Sequence, residues 1–204
     1  PYAFNAKDWT SGDTNRLKVS DITYDEDNNV LKPKSKGTCN IDLMMDYKSV
    51  NYNVKKVQKY LLVRGSNLST DDGSACLWWL NGINHGTSVK ANVMKTIELD
   101  GKEQTVIAWD LSASGLYDTF NVDYPNICQG QTIFGVTSTA DDGSCEIYDI
   151  DFVEDVDAYI NTTGISNITN SKSKGNIYDL AGRKVKNLNA KGIYIVDGKK
   201  QVVK

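Results

Sequence analysis

The sequence predicts an all-β protein built as an antiparallel β-sandwich, with a small β-hairpin appendage at its C terminus. Short apolar segments recur along the chain between polar turns, whereas helical periodicity is weak throughout the 204 residues. Of the 26 acidic residues, five are Glu, which leaves 21 Asp. Asp favours turns, while Glu favours helix interiors. Pro occurs only three times and Asn is frequent, which fits strands joined by polar turns.

The strands of the body follow from apolar segments that end at turn residues. Candidate strands are 17–24, 29–32, 39–45, 57–65, 75–81, 93–99, 104–111, 131–138 and 145–154. Asp100-Gly101 stands between two apolar segments and is a strong signal for a two-residue hairpin turn. Residues 113–120 are the best helical candidate. Many short strands with regular turns indicate a β-sandwich over residues 1–158.

The C-terminal part of the chain differs in composition from the body. Residues 159–174 are rich in Ser, Thr, Asn and Lys, a composition typical of a linker. Residues 175–204 then contain four apparent strands, at 176–180, 183–187, 192–197 and 200–204. We therefore expect a sandwich, a linker and a small β-appendage, in that order.

Charge and hydropathy exclude several functions. Residues 1–158 hold 14 basic and 24 acidic side chains, and residues 159–204 hold nine and two, so the net charges are −10 and +7. A body this acidic would be repelled by phosphate backbones, so we expect no nucleic-acid partner. No apolar segment reaches the length that spans a membrane. We expect a monomer, and a removed leader or a trimmed N terminus would explain the start at Pro1.

The four cysteines, Cys39, Cys76, Cys128 and Cys145, form no CxxC pair. A zinc site would have to gather thiolates from scattered positions, with His85 as the only available imidazole. Two disulfides or buried free thiols are the better interpretations. Spacing alone does not choose among the three possible pairings.

Two turns in the body have nearly the same sequence. Residues 69–76 read STDDGSAC and residues 138–145 read STADDGSC. One interpretation is two hairpins that share acidic turn chemistry. The other is two equivalent corners of a sandwich, or two loops that gather carboxylates for calcium.

The C-terminal segment carries a more specific pattern. IYDLAGRKV at 177–185 and GIYIVDGKK at 192–200 resemble the C-terminal sorting segment of proteins that Bacteroidota export through the type IX secretion route. The resemblance implies a secreted protein or one attached to the outer cell surface.

The body resembles the jelly-roll carbohydrate-binding modules that are attached to glycan-degrading enzymes. The similarity lies in FNAKDW near the N terminus, the strand TVIAWDLS and the closing strand EIYDIDFVE. It implies a jelly-roll-like sandwich that binds polysaccharide or oligosaccharide. In such modules an Asp of the final strand can help to bind one structural calcium, and Asp149 or Asp151 is the matching position here.

Tryptophan is the first candidate for ligand contact, because sugar rings stack their apolar faces on flat aromatic side chains. Trp78 and Trp79 are adjacent on a predicted strand, so alternation places them on opposite faces. Asn81, Asn84 and His85 follow in an apparent loop that could bind hydroxyls. The alternative is that both tryptophans are buried between the sheets.

Four further aromatic residues are secondary candidates. Trp109 alternates with Ile107 and Leu111, which indicates a core position. Tyr117 and Tyr124 lie in a loop-like segment and are predicted ligand contacts. Trp9 is the fourth secondary candidate for ligand contact.

Catalysis is the less favoured interpretation. His85 would need a nucleophile and an orienting carboxylate, and the chain has no GxSxG elbow. Paired carboxylates would support glycoside hydrolysis, but on a regular strand Glu146 and Asp149 point to opposite faces. Asp149 and Asp151 share a face opposite Tyr148, Ile150 and Phe152, which look like core. We expect a non-enzymatic polysaccharide-binding module, with a glycan hydrolase or a structural adhesive module as the alternatives.

Overall fold

A computed structural model describes residues 3–45, 58–80, 83–99, 101–111, 132–168, 177–179, 184–185, 192–196 and 199–203. For residues 79–80, 83–88, 164–168 and the C-terminal strands, only the backbone is described. The chain divides into two compact units, Pro1–Tyr159 and Ile160–Lys204.

The first unit is an antiparallel β-sandwich, as predicted. Its strands are β1 (Trp9–Ser11), β2 (Ile22–Asp25), β3 (Val30–Pro33), β4 (Ile41–Met45), β5 (Tyr60–Ser66), β6 (Cys76–Leu80), β7 (Ile83–Lys90), β8 (Val93–Leu99), β9 (Lys102–Asp110), β10 (Ile133–Val136) and β11 (Glu146–Val153). Short 3₁₀ helices cover Ala6–Asp8 and Val19–Asp21. One sheet has the order β1-β4-β10-β6-β7 and the other β2-β3-β11-β5-β9-β8. The chain passes repeatedly between the two sheets, because consecutive strands alternate between them in several places.

Alternation along the strands builds the core between the sheets. Ile41, Leu43 and Met45 of β4 are all 1% exposed or less and belong to one cluster with side chains from both sheets. Trp9 and Trp109 both pack against Phe134, with ring centroids 5.4 Å from it in both pairs.

The two buried tryptophans test the aromatic predictions. Trp109 is fully buried and its indole N–H donates to the Val89 carbonyl at 3.2 Å, so its predicted core position is confirmed. Trp9 is also fully buried. Its interpretation as a secondary ligand contact is therefore wrong, because no face of its ring is open to solvent.

Each of the nine predicted strands of the body has a counterpart in the sandwich. In the β8–β9 hairpin, Leu99 pairs with Lys102, and Gly101 has a φ of +72°, which the tight turn requires. Two edge strands, β1 and β7, were not predicted from the sequence. The helical candidate at 113–120 lies outside the described residues.

Helix α1 (Val156–Ile168) occupies much of the segment whose composition predicted a linker. The Asp155 carboxylate accepts a hydrogen bond from the Ala158 amide at 2.6 Å and so caps the first turn. Val156 is 6% exposed and Tyr159 is half-buried, so the first turn is anchored on the sandwich. Polar composition therefore hid a helix that is stabilised by its cap and by packing. Within the described residues, no helix is long and apolar enough to cross a membrane.

The second unit contains a four-stranded antiparallel sheet in the order β13-β12-β14-β15. Its strands are β12 (Ile177–Asp179), β13 (Lys184–Val185), β14 (Gly192–Val196) and β15 (Lys199–Val203). The predicted β-appendage is thus present, with all four expected strands paired.

Candidate functional site

The outer face of the five-stranded sheet carries a cluster of three side chains around a glycine. In β4, Asp42 points away from the core because its neighbours Ile41 and Leu43 point into it. Trp78 of β6 lies on the same outer face, against Gly135 of β10. We call Arg16, Asp42, Trp78 and Gly135 the Asp42–Trp78 cluster.

Gly135 makes the approach of the other residues possible. A Cβ atom at this position would lie 2.6 Å from Asp42 Oδ1 and 2.7 Å from two carbons of the Trp78 ring. Any side chain at position 135 would therefore displace the indole or the carboxylate. Arg16 completes the cluster, with its guanidinium carbon 4.8 Å from the Trp78 ring centroid and its Nη1 3.7 Å from Asp42 Oδ2.

Asp42 is the most unusual residue of the cluster. Its side chain is 1% exposed, and within the described residues neither carboxylate oxygen accepts a hydrogen bond. Burial raises the pKa of Asp42 from 3.8 to about 7, with the Arg16 charge opposing the shift and the Asp13 charge adding to it. A buried carboxylate without hydrogen bonds costs stability, so a ligand that supplies hydroxyl donors would gain from it.

Trp78, one of the predicted ligand residues, is half-buried on this face. The register of β6 shifts between Leu77 and Trp79 against both of its neighbours, so the strand has a bulge at Trp78. Strict alternation cannot be assumed across the bulge, so the opposite orientation of Trp78 and Trp79 stays a prediction. The backbone of Trp79 pairs with Ile133 and with Asn84.

Asn84 and His85 lie in a strand, where the sequence analysis expected a loop. Both belong to β7, which pairs with the strand of Trp78 and Trp79. The loop interpretation was wrong because Asn, Gly and Thr are typical of turns, while the pairing of an edge strand depends on its neighbour. Four of the predicted residues thus lie on two adjacent strands. Asn81, Tyr117 and Tyr124 lie outside the described residues.

The closing strand β11 carries the two predicted calcium ligands. Asp149 and Asp151 flank the core residue Ile150 and lie on the outer face of the six-stranded sheet. Asp149 accepts a hydrogen bond from the Tyr159 hydroxyl, and Asp151 accepts one from the Phe152 amide at 2.7 Å. Burial and then the charge of Asp149 raise the pKa of Asp151 to about 6.

Tyr148 departs from its predicted core position. The register of β11 shifts between Ile147 and Asp149, so Tyr148 lies at a bulge and only Ile150 and Phe152 of the expected set are core. The Tyr148 hydroxyl donates to Glu146 at 2.6 Å. Glu146 also pairs with Lys32, so the carboxylates proposed for hydrolysis are already held by protein partners.

The two similar turns lie side by side. Leu68 and Ser138 form an antiparallel bridge, and the glycines of the two turns, Gly73 and Gly143, have φ values of +78° and +79°. This arrangement favours the interpretation as equivalent corners.

The carboxylates of these turns do not converge. Asp72 pairs with Lys90 at 2.9 Å, and Asp142 pairs with Lys34 at 3.1 Å. Among the described residues, no group of three or more His, Cys, Asp or Glu side chains could hold a metal ion. Calcium binding by Asp149 and Asp151 therefore stays a prediction.

A cleft of about 450 Å³ lies elsewhere on the sandwich, between Thr23, Lys32, Lys34 and Glu146. Three of its charged residues already pair, because Lys32 contacts Glu146 at 3.4 Å and Lys34 contacts Asp142. The Asp42–Trp78 cluster is the stronger candidate because it holds an unsatisfied group. Comparison with known proteins finds no matching family model, no matching curated protein and no matching solved structure.

Proposed function

We propose that this protein is a non-catalytic module that binds polysaccharide on the outer face of the five-stranded sheet. The observation that supports this proposal is the position of Asp42, a buried carboxylate that accepts no hydrogen bond from any described residue and lies beside a half-exposed tryptophan. Sugars combine an apolar ring face with hydroxyl donors, and the cluster would offer an indole and a carboxylate at one place once movement of Arg16 opens the buried Asp42 to the ligand.

Arg16 gives the cluster its second polar function. Its side chain is 45% exposed, so it can turn from the Trp78 ring and donate to sugar oxygens at little packing cost. The backbone of β7, the strand that contains Asn84 and His85, would extend the surface along the sheet. An extended chain of sugar units fits a surface of this kind better than it fits a closed pocket.

Location and cofactor belong to the same proposal. The C-terminal β-appendage, with its resemblance to a sorting segment of Bacteroidota, supports a secreted or surface-displayed protein. One structural calcium would bind at Asp149 and Asp151.

The test is affinity electrophoresis of the intact chain through gels that contain plant or host polysaccharides. We expect retardation by one or a few polysaccharides and a loss of apparent affinity of at least roughly tenfold in Trp78→Ala, since buried aromatic anchors dominate binding. Trp78→Phe keeps a stacking ring and should lose less. The matched control is Tyr24→Ala, which removes a 36% exposed aromatic residue from the other sheet.

Circular dichroism and thermal unfolding would establish that each variant is folded. Absence of retardation in every gel, with the protein folded, would overturn the proposal and favour a structural or adhesive module. Full retardation of a folded Trp78→Ala variant would show that any binding surface lies elsewhere.

A further inference from the structure

Two of the four cysteines meet inside the sandwich. The Sγ atoms of Cys39 and Cys76 lie 2.8 Å apart, and the two residues are 5% and 8% exposed. Cys145 is also buried, but it lies before β11, where its amide donates to the Pro33 carbonyl. Cys128 lies outside the described residues. The structure thus distinguishes among pairings that the sequence left open.

Hydrogen bonds hold the two thiols toward each other. Both sulfurs face the Gly73 carbonyl oxygen, at 3.3 Å from Cys39 and 3.6 Å from Cys76. The Cys39 amide donates to the Thr137 hydroxyl at 2.7 Å, and that hydroxyl donates to the Ser74 carbonyl at 2.8 Å. Cys39 has a φ of +51°, a left-handed conformation that a residue other than glycine keeps only where its surroundings hold it.

We propose that Cys39 and Cys76 form a disulfide by exchange with an external disulfide, either a small molecule or an oxidoreductase. One cysteine thiolate attacks a sulfur of the external disulfide and releases one thiolate, forming a mixed disulfide. The second cysteine thiolate then attacks the protein sulfur of the mixed disulfide and releases the second thiolate. The chain loses two hydrogens in total, and the external disulfide is reduced to two thiols.

The exchange belongs to folding, before the strands close over the sulfurs. Burial raises the pKa of the Cys39 thiol, so little of the reactive thiolate exists in the folded chain. Both sulfurs are also shielded from an incoming reagent once the sandwich has formed.

The cross-link would join the two strands that flank β10. Cys39 lies just before β4, and Cys76 is the first residue of β6. These strands carry Asp42 and Trp78, so the bond would fix the spacing of the cluster, whatever the cluster binds. This inference therefore does not depend on the proposed function.

Peptide mapping of the full chain tests the pairing. The chain is refolded with oxidised glutathione, blocked with N-ethylmaleimide in denaturant and digested with trypsin. We expect peptide 37–48 joined to peptide 65–90, with a mass two hydrogens below the sum of the two. The Cys145→Ser variant should give the same joined peptide, whereas Cys39→Ser should not.

Thermal unfolding supplies an independent measurement. The chain refolded with oxidised glutathione should have a Tm roughly 5–10 °C above that of the chain reduced in denaturant and refolded in reductant, while Cys39→Ser should have the same Tm under both conditions. Recovery of 37–48 and 65–90 as separate blocked peptides after oxidation would overturn the proposal. So would attachment of either peptide to 103–172, which holds Cys128 and Cys145. No binding is measured here, so this failure is distinct from failure of the proposed function.

Discussion

The two outer faces of the sandwich differ in whether their buried polar side chains are hydrogen-bonded. On the six-stranded sheet, Arg64 donates to the Tyr159 hydroxyl at 2.9 Å and to Gln104 at 2.6 Å, and Tyr159 in turn donates to Asp149. On the five-stranded sheet, Asp42 is buried and, in the described part of the chain, accepts no hydrogen bond. The first face satisfies its own polar groups and so serves stability. The second leaves one unsatisfied among the described residues, and the proposed binding surface rests on that difference.

The largest effect should come from removing the charge of Asp42. Its pKa in the folded protein, about 7, exceeds 3.8, so the unfolded chain releases this proton first as the pH rises. Stability therefore falls between about pH 4 and pH 7 and stays lower above that range. Asp42→Asn should raise the free energy of unfolding at pH 8 by up to about 4 kcal/mol, with little change near pH 4.

Urea denaturation at the two pH values measures this gain. Asp13→Asn is the control, because it removes a partly exposed charge near Asp42 that also pairs with Arg16 at 3.5 Å, and it should change the stability much less than Asp42→Asn does. The same Asp42→Asn protein should lose retardation in polysaccharide gels. A variant that gains no stability at pH 8, or that gains stability and keeps full binding, would contradict the comparison between the faces.

On the outer face of the six-stranded sheet, removal of a polar group should lower the free energy of unfolding, by less than the gain expected for Asp42→Asn. Tyr159→Phe removes the hydroxyl between Arg64 and Asp149, and hydrogen bonds to charged groups contribute about 1.5–3 kcal/mol. Tyr24→Phe removes one hydrogen bond to the neutral Trp9 carbonyl and should cost about 1 kcal/mol. Chemical denaturation of both variants tests the order. A smaller loss in Tyr159→Phe than in Tyr24→Phe would show that the network contributes little.

The smallest effect should distinguish the two similar turns. Asp142 accepts hydrogen bonds from the Ser144 hydroxyl and amide, which hold its pKa below the ordinary value, while Asp72 pairs with Lys90. Asp142→Asn should therefore lower the Tm at pH 7 more than Asp72→Asn does. The difference in Tm should shrink as the pH falls below 3.8. The hydrogen bonds that lower the pKa of Asp142 stabilise the folded protein only while this carboxylate is ionised. Calorimetry at pH 7 and pH 2 measures the Tm of both variants. Equal changes of Tm in Asp142→Asn and Asp72→Asn at pH 7 would show that the hydrogen bonds to Asp142 are unimportant.

The fold was predictable because its strands alternate and end at turn residues. The core positions of Ile150 and Trp109 follow from that alternation alone. The bulges at Trp78 and Tyr148 were not predictable, because an extra residue in one strand is defined only against its partner. The helix that begins at Val156 was not predictable for a related reason, since its stability comes from a cap and from packing.

The candidate site was predictable in part. Trp78 stood out as an aromatic residue on a strand, and neighbouring Asn84 and His85 were identified with it. Arg16 and Gly135 were missed because they lie far from Trp78 in the sequence. Asp42 did leave a signal, as a lone charge among the alternating core residues of β4. Its burial still depends on Arg16 and Trp78, which no pattern within one strand reveals.

The strand order also determines how the molecule can reach its native state. β4 pairs with β1 and β10, and β11 pairs with β3 and β5, so neighbours in space are distant along the chain. Neither sheet can be completed from one contiguous segment of the chain. The entropy cost of closing long loops must therefore be met before the contacts between distant strands stabilise the fold. Domains with such topology fold on the order of milliseconds to seconds, far more slowly than helical bundles. During that interval the unpaired strand edges can pair with other chains. The partly folded protein is therefore the form most prone to aggregation.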